Sequence, residues 1–441
     1  MKKLLVEPQR TPLRGTITVP GDKSISHRAV MLGSLAAGKN VIRRWLPAGD
    51  TLATLNCFQN MGVPIGTVQN SAQDWDLVIH GQGLHGLQPP AAPLDFVNAG
   101  TGIRLAAGLM VGQRFPVTLD GSAQLRARPM GRIVNPLRVM GAKISATDGK
   151  APMHIEPAEL VGVDYEMPVA SAQVKSAMLL AGLYARGRTR VHQPGPARDH
   201  TERILMAMGV ELTITEDGWI GLEGPLDNFG LQPLDMTVPA DISSAAFPLI
   251  AAAIVPHSEV TITNVGLNET RTGINELLAQ MGAAMTLRNE VVTGGEPAGD
   301  LTIQFNELHA TTAEGAVVVR AIDEMPILAV AATQAAGATT VRDAAELRVK
   351  EVDRIGVLAG ELRKMGVPVE EAPDGFTIHG PIRPHGGEVD SHDDHRLGMC
   401  LAVAGLVASG PTTVLDAGCI ADSFPGFVET MQALGANMRW A

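Results

Sequence analysis

In GTITVPGDKSISHRAV a strand-like run ends at Pro20 and Gly21, and Lys23, Ser24, His27 and Arg28 follow over the first turns of a helix. A helix start offers N–H groups and partial positive charge, so a lysine, a serine and an arginine added there make an anion site. In FVNAGTGIRLAAG, Asn98, Gly100 and Thr101 form a tight polar loop before a helix bearing Arg104. Glycine lets a ligand approach the backbone, and Thr101 and Arg104 can donate to anionic oxygens. The run LRARPMGR holds Arg126, Arg128 and Arg132, which alone reads as a solvated face. In ELRVKEVDRIG, Glu346, Lys350 and Arg354 are spaced by four, which in one continuous helix would give only stabilising pairs. The strand-and-loop character of the preceding ATTVRDAAELRV instead places Lys350 and Glu351 at a helix entrance. SHDDHRLGM sets His392, Asp393, Asp394, His395 and Arg396 before an apolar helix. Such a cluster could hold a metal, but Arg396 would repel a cation, which favours an anion-facing helix start or a simple cap. In RAIDEMPILAVAA, Asp323 and Glu324 precede a helix apolar enough to be buried. A carboxylate there is a cap or a general base, and the sequence alone favours the cap. GSLAAGKN approaches a phosphate-binding loop but has Asn40 where a hydroxyl is needed and reads as a helix end. Taken together, these phrases predict an anion-binding cleft fed by helix N-termini.

The elements that would carry them follow a repeat. A phrase of helical apolar spacing that ends in Met-Gly or Leu-Gly and runs into an extended stretch occurs six times, with glycines at Gly62, Gly141, Gly209, Gly282, Gly366 and Gly435. Each glycine suits the position after a helix where φ is positive. The period, 68 to 84 residues between successive glycines, is too long for a solenoid unit and holds about two helices and four strands. TVPGDKS and TVPADISS, each a strand end, Val-Pro and a capped helix start, read as crossings between two domains. One domain then comprises residues 1–20 plus 241–441, and the other residues 21–240.

Composition narrows the function. The 441 residues are 45% hydrophobic and 18% charged, a globular balance with little room for disorder. Aromatics make up 3%, too few for the stacking surfaces of single-strand binders, so nucleic acid is not an expected partner. The net charge of −11 opposes anions at long range, so an anionic substrate requires a local basic cluster. Cys57, Cys400 and Cys419 are widely spaced, which argues against a disulfide framework or structural zinc and fits a reducing cytosol. The N-terminal apolar stretch stops at Glu7, too short for a signal peptide, and no run reaches the ~20 residues that span a bilayer.

The phrases PGDKSISHR, NAGTGIR, RPMGRIVNPLRVMGA, SAQVKSAMLLAGL, RDHTER, DISSAAFPL, IDEMPILAVAA, LRVKEVDRI, DHRLGM and DSFPGF, in this order, resemble the 5-enolpyruvylshikimate-3-phosphate synthase family. The resemblance implies an α/β fold, a two-domain inverse α/β barrel of six βαβαββ copies, three per domain, with the active site between the domains. It implies transfer of the enolpyruvyl group of phosphoenolpyruvate to shikimate-3-phosphate in aromatic amino-acid biosynthesis, with no metal, no organic cofactor, a monomer, and glyphosate as an inhibitor. By motif, Lys23, Ser24, Arg28, Ser171, Ala172, Gln173 and Arg198 would contact shikimate-3-phosphate. Asn98, Gly100, Thr101, Arg104, Arg128, Arg354 and Arg396 would hold phosphoenolpyruvate, while Lys350 and Glu346 complete the pocket. Asp323 and Glu351 match the acid–base pair, Lys23 would share proton transfer, and His395 would orient a carboxylate.

Three positions depart from the family's commoner pattern. Val352 replaces a hydroxyl residue, Asp422 stands where some members have a Lys, and Gly100 is the residue of glyphosate-sensitive members although RDHTER and SAQVKSA resemble the tolerant branch. Two rival readings are a transferase acting on UDP-N-acetylglucosamine and a non-catalytic anion-binding homologue. The first expects a reactive Cys in the segment LDGSAQLRARPM, which has none, and Lys-Asn where Lys23-Ser24 stands; the second expects lost proton carriers. Basic groups on two domains repel one another, so closure should be driven by an anionic ligand.

Overall fold

The computed structural model describes residues 2–441. Each of the six glycines that end the repeated phrase has positive φ, between 76° and 91°. The reason is a shared helix ending. Gly62 N donates to Gln59 O at 3.0 Å and Val63 N to Phe58 O at 3.2 Å, and the same pair of bonds recurs at Gly141, Gly209, Gly282, Gly366 and Gly435. This double bond satisfies the last carbonyls of the helix and needs a left-handed residue, which glycine supplies without steric cost.

Among the described residues the strands form six four-stranded sheets, each with one parallel edge pair and the other neighbours antiparallel where pairing is recorded. A complete copy reads strand, helix, strand, helix, strand, strand: Leu94–Asp95, Gly100–Met110, Val117–Asp120, Gly131–Val139, Lys143–Thr147 and Lys150–Glu156, with a short extra helix Ala123–Arg126. Three sheets recruit strands from elsewhere in the chain. Asp235–Thr237 completes the sheet of Ala37–Trp45, and Arg14–Ile17 that of Glu259–Gly266. The first strand, Leu4–Val6, lies between Thr412–Leu415 and Met438–Trp440, with Leu4 opposite Val414 and Trp440.

The described chain divides into two compact units. One holds the residues up to Pro20, Pro239–Val291 and Pro297–Ala441; the other holds Gly21–Val238 and the turn Val292–Glu296. Helices rather than strands form each centre. In the first unit, Ile242–Ile254, Met325–Ala332 and His395–Leu406 are buried at every residue. In the second, Lys23–Leu35, Gly100–Met110 and Ala172–Gly182 are buried along nearly their whole length. Removing apolar surface from water on all sides of these helices is the main driving term, ~25 cal/mol per Å². Each central helix follows an edge strand along the chain; before Met325–Ala332 a short helix, Ala316–Arg320, and a 3-10 turn intervene. That junction is where the chemically interesting phrases fall.

Candidate active site

In the second unit the three first-helix starts carry the predicted groups. Asp22 caps Lys23–Leu35, accepting from Ile25 N at 2.9 Å, and so positions the half-buried Lys23 and Ser24. Lys23 Nζ lies 3.1 Å from Asp50 Oδ2. His27 is fully buried against Thr54 Oγ1 at 2.8 Å, and burial above all lowers its pKa to about 3; it is a neutral core group, not an anion ligand. Arg28 is also buried, where desolvation first of all lowers its pKa to about 10. Its guanidinium donates to Thr201 Oγ1 at 2.7 Å, Ser24 O at 3.0 Å and Ser176 Oγ at 3.0 Å. In this structure Arg28 ties together three segments that carry predicted substrate contacts.

At the second start, a Cβ added to Gly100 would lie 2.7 Å from Arg128 Nη1 and 3.2 Å from Arg104 Nη1, so two guanidinium groups converge over the bare Cα. Arg104 donates to Gln173 Oε1 at 3.1 Å and to Pro129 O at 3.2 Å; Gln173 donates to Thr101 Oγ1 at 3.1 Å. Ser122 donates a short bond to Asn98, and Ser171 caps Ala172–Gly182 through Val174 N. Asn98, Gly100, Thr101, Arg104, Arg128, Ser171, Ala172 and Gln173 thus belong to one arginine-rich region of this unit. The run LRARPMGR splits. Arg126 is an exposed partner of Asp120 at 2.5 Å, Arg128 turns to Gly100, and Arg132 reaches Gln173 Oε1 at 3.1 Å. Arg198 is half-buried in the segment that leads into the helix His200–Ala207.

Sequence reasoning gave no role to the buried braces beneath these residues. Lys175 Nζ lies 2.5 Å from Glu202 Oε1 and donates to Gln193 Oε1 at 2.9 Å, while His200 Nδ1 lies 2.7 Å from Glu296 Oε1. The available signal was Lys175 itself, a charge within an otherwise apolar helical run.

In the first unit, Arg354 is the centre. It is 2% exposed at the start of Arg354–Lys364, and its nitrogens reach Asp394 Oδ2 at 2.8 Å, Glu351 Oε2 at 2.7 Å and Asp323 Oδ1 at 3.5 Å. Burial pulls its pKa down, but Glu351, Asp394 and Asp323 together hold it above the ordinary arginine value. Around Asp323 also stand Lys350 Nζ at 3.6 Å and Arg396 Nη2 at 3.9 Å. Lys350 pairs with Glu346 at 3.0 Å, the i,i+4 contact that the spacing permits, although the segment is a 3-10 turn followed by loop rather than one helix. Lys350 and Glu351 accordingly precede the helix by a short loop.

Asp323 and Glu324 are not caps, contrary to the reading that the sequence alone favoured. They lie in a 3-10 turn, Ile322–Glu324, and Glu324 occupies the N-cap position of Met325–Ala332 without a side-chain cap bond. Pro326 already fits the first turn, and both carboxylates point to cationic or hydroxyl partners. The phrase SHDDHR is divided by two left-handed residues, His392 and Asp393. His392 turns to Glu361 at 2.8 Å, whereas Asp394 caps its helix through Arg396 N at 2.9 Å and holds Arg354. Burial raises the proton affinity of Asp394, but Arg354 more than offsets this and keeps its pKa below the usual value. His395 and Arg396 are buried beside it. Val352 packs against this unit's core, and the exposed Asp422 ends a 3-10 turn whose earlier residues are mostly buried. All three cysteines are free and buried.

The model of the family described as EPSP synthase (3-phosphoshikimate 1-carboxyvinyltransferase) matches residues 8–431. The chain belongs to the EPSP synthase family. It is 48% identical over 437 residues to a 3-phosphoshikimate 1-carboxyvinyltransferase of Geobacter sp. (strain M21), covering 98% of this chain and 99% of that protein. It is 49% identical over 445 residues to one of Acidithiobacillus ferrooxidans (strain ATCC 53993 / BNL-5-31), covering all of both. A solved structure of EPSP synthase from Acinetobacter baumannii superposes with a TM-score of 0.90 at 42% identity, covering 100% of each chain. Family membership thus agrees with the six-copy α/β architecture described above.

Proposed function

We propose that this chain catalyses the family reaction, joining the 5-hydroxyl of shikimate-3-phosphate to the enolpyruvyl carbon of phosphoenolpyruvate with release of inorganic phosphate. The observation that carries the reading is the pair Asp323 and Glu351 on one buried guanidinium, Arg354, with Lys350 and Arg396 beside Asp323. Addition requires a base for the hydroxyl proton and an acid for the methylene carbon, two groups of opposite initial state.

Asp323, ionised among three cations, takes the hydroxyl proton as oxygen bonds to the carbon bearing phosphate. Glu351 delivers a proton to the methylene carbon, and Lys23 shares in proton transfer. Glu351 lies 2.7 Å from Arg354 Nη2, so an arriving dianion that engages Arg354 and Arg396 weakens this pull on the carboxylate and favours its protonated form. In the tetrahedral intermediate the methyl carbon then returns a proton as the carbon–oxygen bond to phosphate breaks. Arginines fit both ends of this chemistry, since their planar fork binds carboxylate and phosphate bidentately. In this reading Lys23, Ser24, Ser171, Gln173 and Arg198 contact shikimate-3-phosphate directly, while Arg28 acts through Ser24, Ser176 and Thr201. His395 orients the neighbouring carboxylate.

We further propose a monomer, a cytoplasmic location and inhibition by glyphosate through the space left at Gly100. None of the helices among the described residues is long and apolar enough to cross a membrane. The test is a phosphate-release assay with both substrates. Phosphate should appear only when both are present, and not when UDP-N-acetylglucosamine replaces shikimate-3-phosphate. Lys23→Met and Glu351→Ala should each lose at least about 100-fold in turnover; full activity in either overturns its role, and absence of phosphate with the wild-type chain overturns the reading.

A further inference from the structure

Five of the six copies place residues matched to the family's site at a first-helix start, at the entrance to the second helix, or at both. The fourth copy contributes none of the predicted site residues. Its first helix, Ile242–Ile254, is capped by Asp241, and the residues before its second helix, Gly273–Gln280, include Arg271. These groups face inward. Arg271 is 3% exposed, Asp241 5%, Ser243 1% and Glu324 1%. Arg271 Nη2 donates to Asp241 Oδ1 at 3.0 Å and to Ser243 Oγ at 2.9 Å, and Ser243 N donates to Asp241 Oδ1 at 2.9 Å. The Ser243 hydroxyl in turn donates a short bond to Glu324 Oε1.

A buried carboxylate is costly to desolvate, so its retention asks for a purpose beyond stability. Glu324 is the direct neighbour of Asp323 in a three-residue 3-10 turn, Ile322–Glu324. The two side chains diverge: Asp323 goes to Lys350, Arg354 and Arg396, and Glu324 goes to Ser243. Arg396 also bonds the Asp323 carbonyl at 3.4 Å. Fixing Glu324 therefore fixes the backbone from which Asp323 projects. We propose that Glu324, held by Ser243, which Arg271 fixes in turn, is a positioning residue that sets the place of the Asp323 carboxylate for proton abstraction. This deepens the functional reading above and rests on Asp323 being the base. It also gives the fourth copy a role, as the anchor for the catalytic turn of the fifth.

The experiment is steady-state phosphate release by Glu324→Gln and Ser243→Ala, each substrate varied with the other saturating, alongside thermal unfolding and the wild-type chain. A displacement of about 1 Å in a reacting group can cost on the order of 100-fold, so kcat should fall 10- to 100-fold with both KM values within twofold. A kcat within twofold of wild type in a folded Glu324→Gln overturns the proposal. So does a loss in which kcat and both KM values change together with the folded fraction, since that is a merely structural defect. Should Glu324→Gln fail to fold, Ser243→Ala decides by the same criteria. A wild-type chain that releases no phosphate refutes the functional reading itself, a result distinct from any of these.

Discussion

Replacing Gly100 by Ala isolates the two guanidinium groups assigned to phosphoenolpyruvate. Gly100 is the first residue of Gly100–Met110 and is absent from the positive-φ glycines, so alanine meets no backbone strain there and has the better helix propensity. The added Cβ would lie 2.7 Å from Arg128 Nη1, against the 3.4 Å at which ordinary contact begins, and 3.2 Å from Arg104 Nη1. Arg104 is buried and bonded to Gln173 and the Pro129 carbonyl, so it yields less. Arg128, only half-buried, must withdraw by about 0.7 Å. Lengthening one charge–charge contact from about 2.8 to about 3.5 Å at an effective dielectric of about 20 costs about 1.2 kcal/mol, a factor of about 7. The phosphoenolpyruvate KM should therefore rise about 5- to 10-fold, with the shikimate-3-phosphate KM within twofold and the unfolding midpoint unchanged. Glyphosate inhibition should weaken by at least the same factor. A phosphoenolpyruvate KM within twofold of wild type would refute the assignment of Arg128.

Two stability predictions accompany those already stated for Lys23, Glu351, Glu324 and Ser243. Asp394→Ala strips Arg354 of a partner that is 0% exposed and removes a helix cap, so unfolding free energy should fall by about 3–5 kcal/mol. In Asp394→Asn the cap survives and the loss is smaller; urea titration reads both, and a loss below about 1 kcal/mol in the alanine variant would contradict the buried pair. His27 has its pKa lowered to about 3 from 6.5, so below pH 6.5 the unfolded chain gains a proton that the folded chain refuses. Its contribution is full above that pH and shrinks as pH falls toward 3, by about 2 kcal/mol between pH 7 and pH 5. In His27→Gln the urea midpoint should be correspondingly less sensitive over that interval, and equal pH dependence in the two proteins would count against a neutral buried histidine.

Local backbone demands were legible in the sequence. The six glycines after Met or Leu could be read because one helix ending, repeated, leaves a left-handed position that other residues fill poorly. The capped starts after Val-Pro could be read because capping uses few residue types. Partner choice was not legible. Nothing in the spacing of Glu346, Lys350 and Arg354 reveals that Arg354 also reaches Asp394, 40 residues on, or that Arg28 reaches Thr201 and Ser176. Such contacts are set when distant copies pack together, and a long side chain is free to choose among several directions until then. The misreading of Asp323 and Glu324 as caps has the same origin: local chemistry favours a cap, and only the packed unit supplies cations and a serine that draw both carboxylates elsewhere.

The repeat also explains why so many anion-binding groups fall at equivalent places. An edge strand leads into each buried helix, directly or, in the fifth copy, through a short helix and a 3-10 turn, and burial of that helix forces its polar start to the end of the central layer. Lys23, Gly100, Ser171, Asp241, Glu324 and Asp394 occupy this one position in successive copies, at or beside the start of the central helix. A second position, ahead of the next helix, carries Arg128, Arg198, Arg271 and Glu351 in copies two to five. Duplication therefore delivers backbone donors and basic side chains to matching sites, and divergence decides what each copy holds. Where the fourth copy turns Arg271 and Ser243 inward, it spends the same geometry on orienting a neighbour's carboxylate instead of binding an anion.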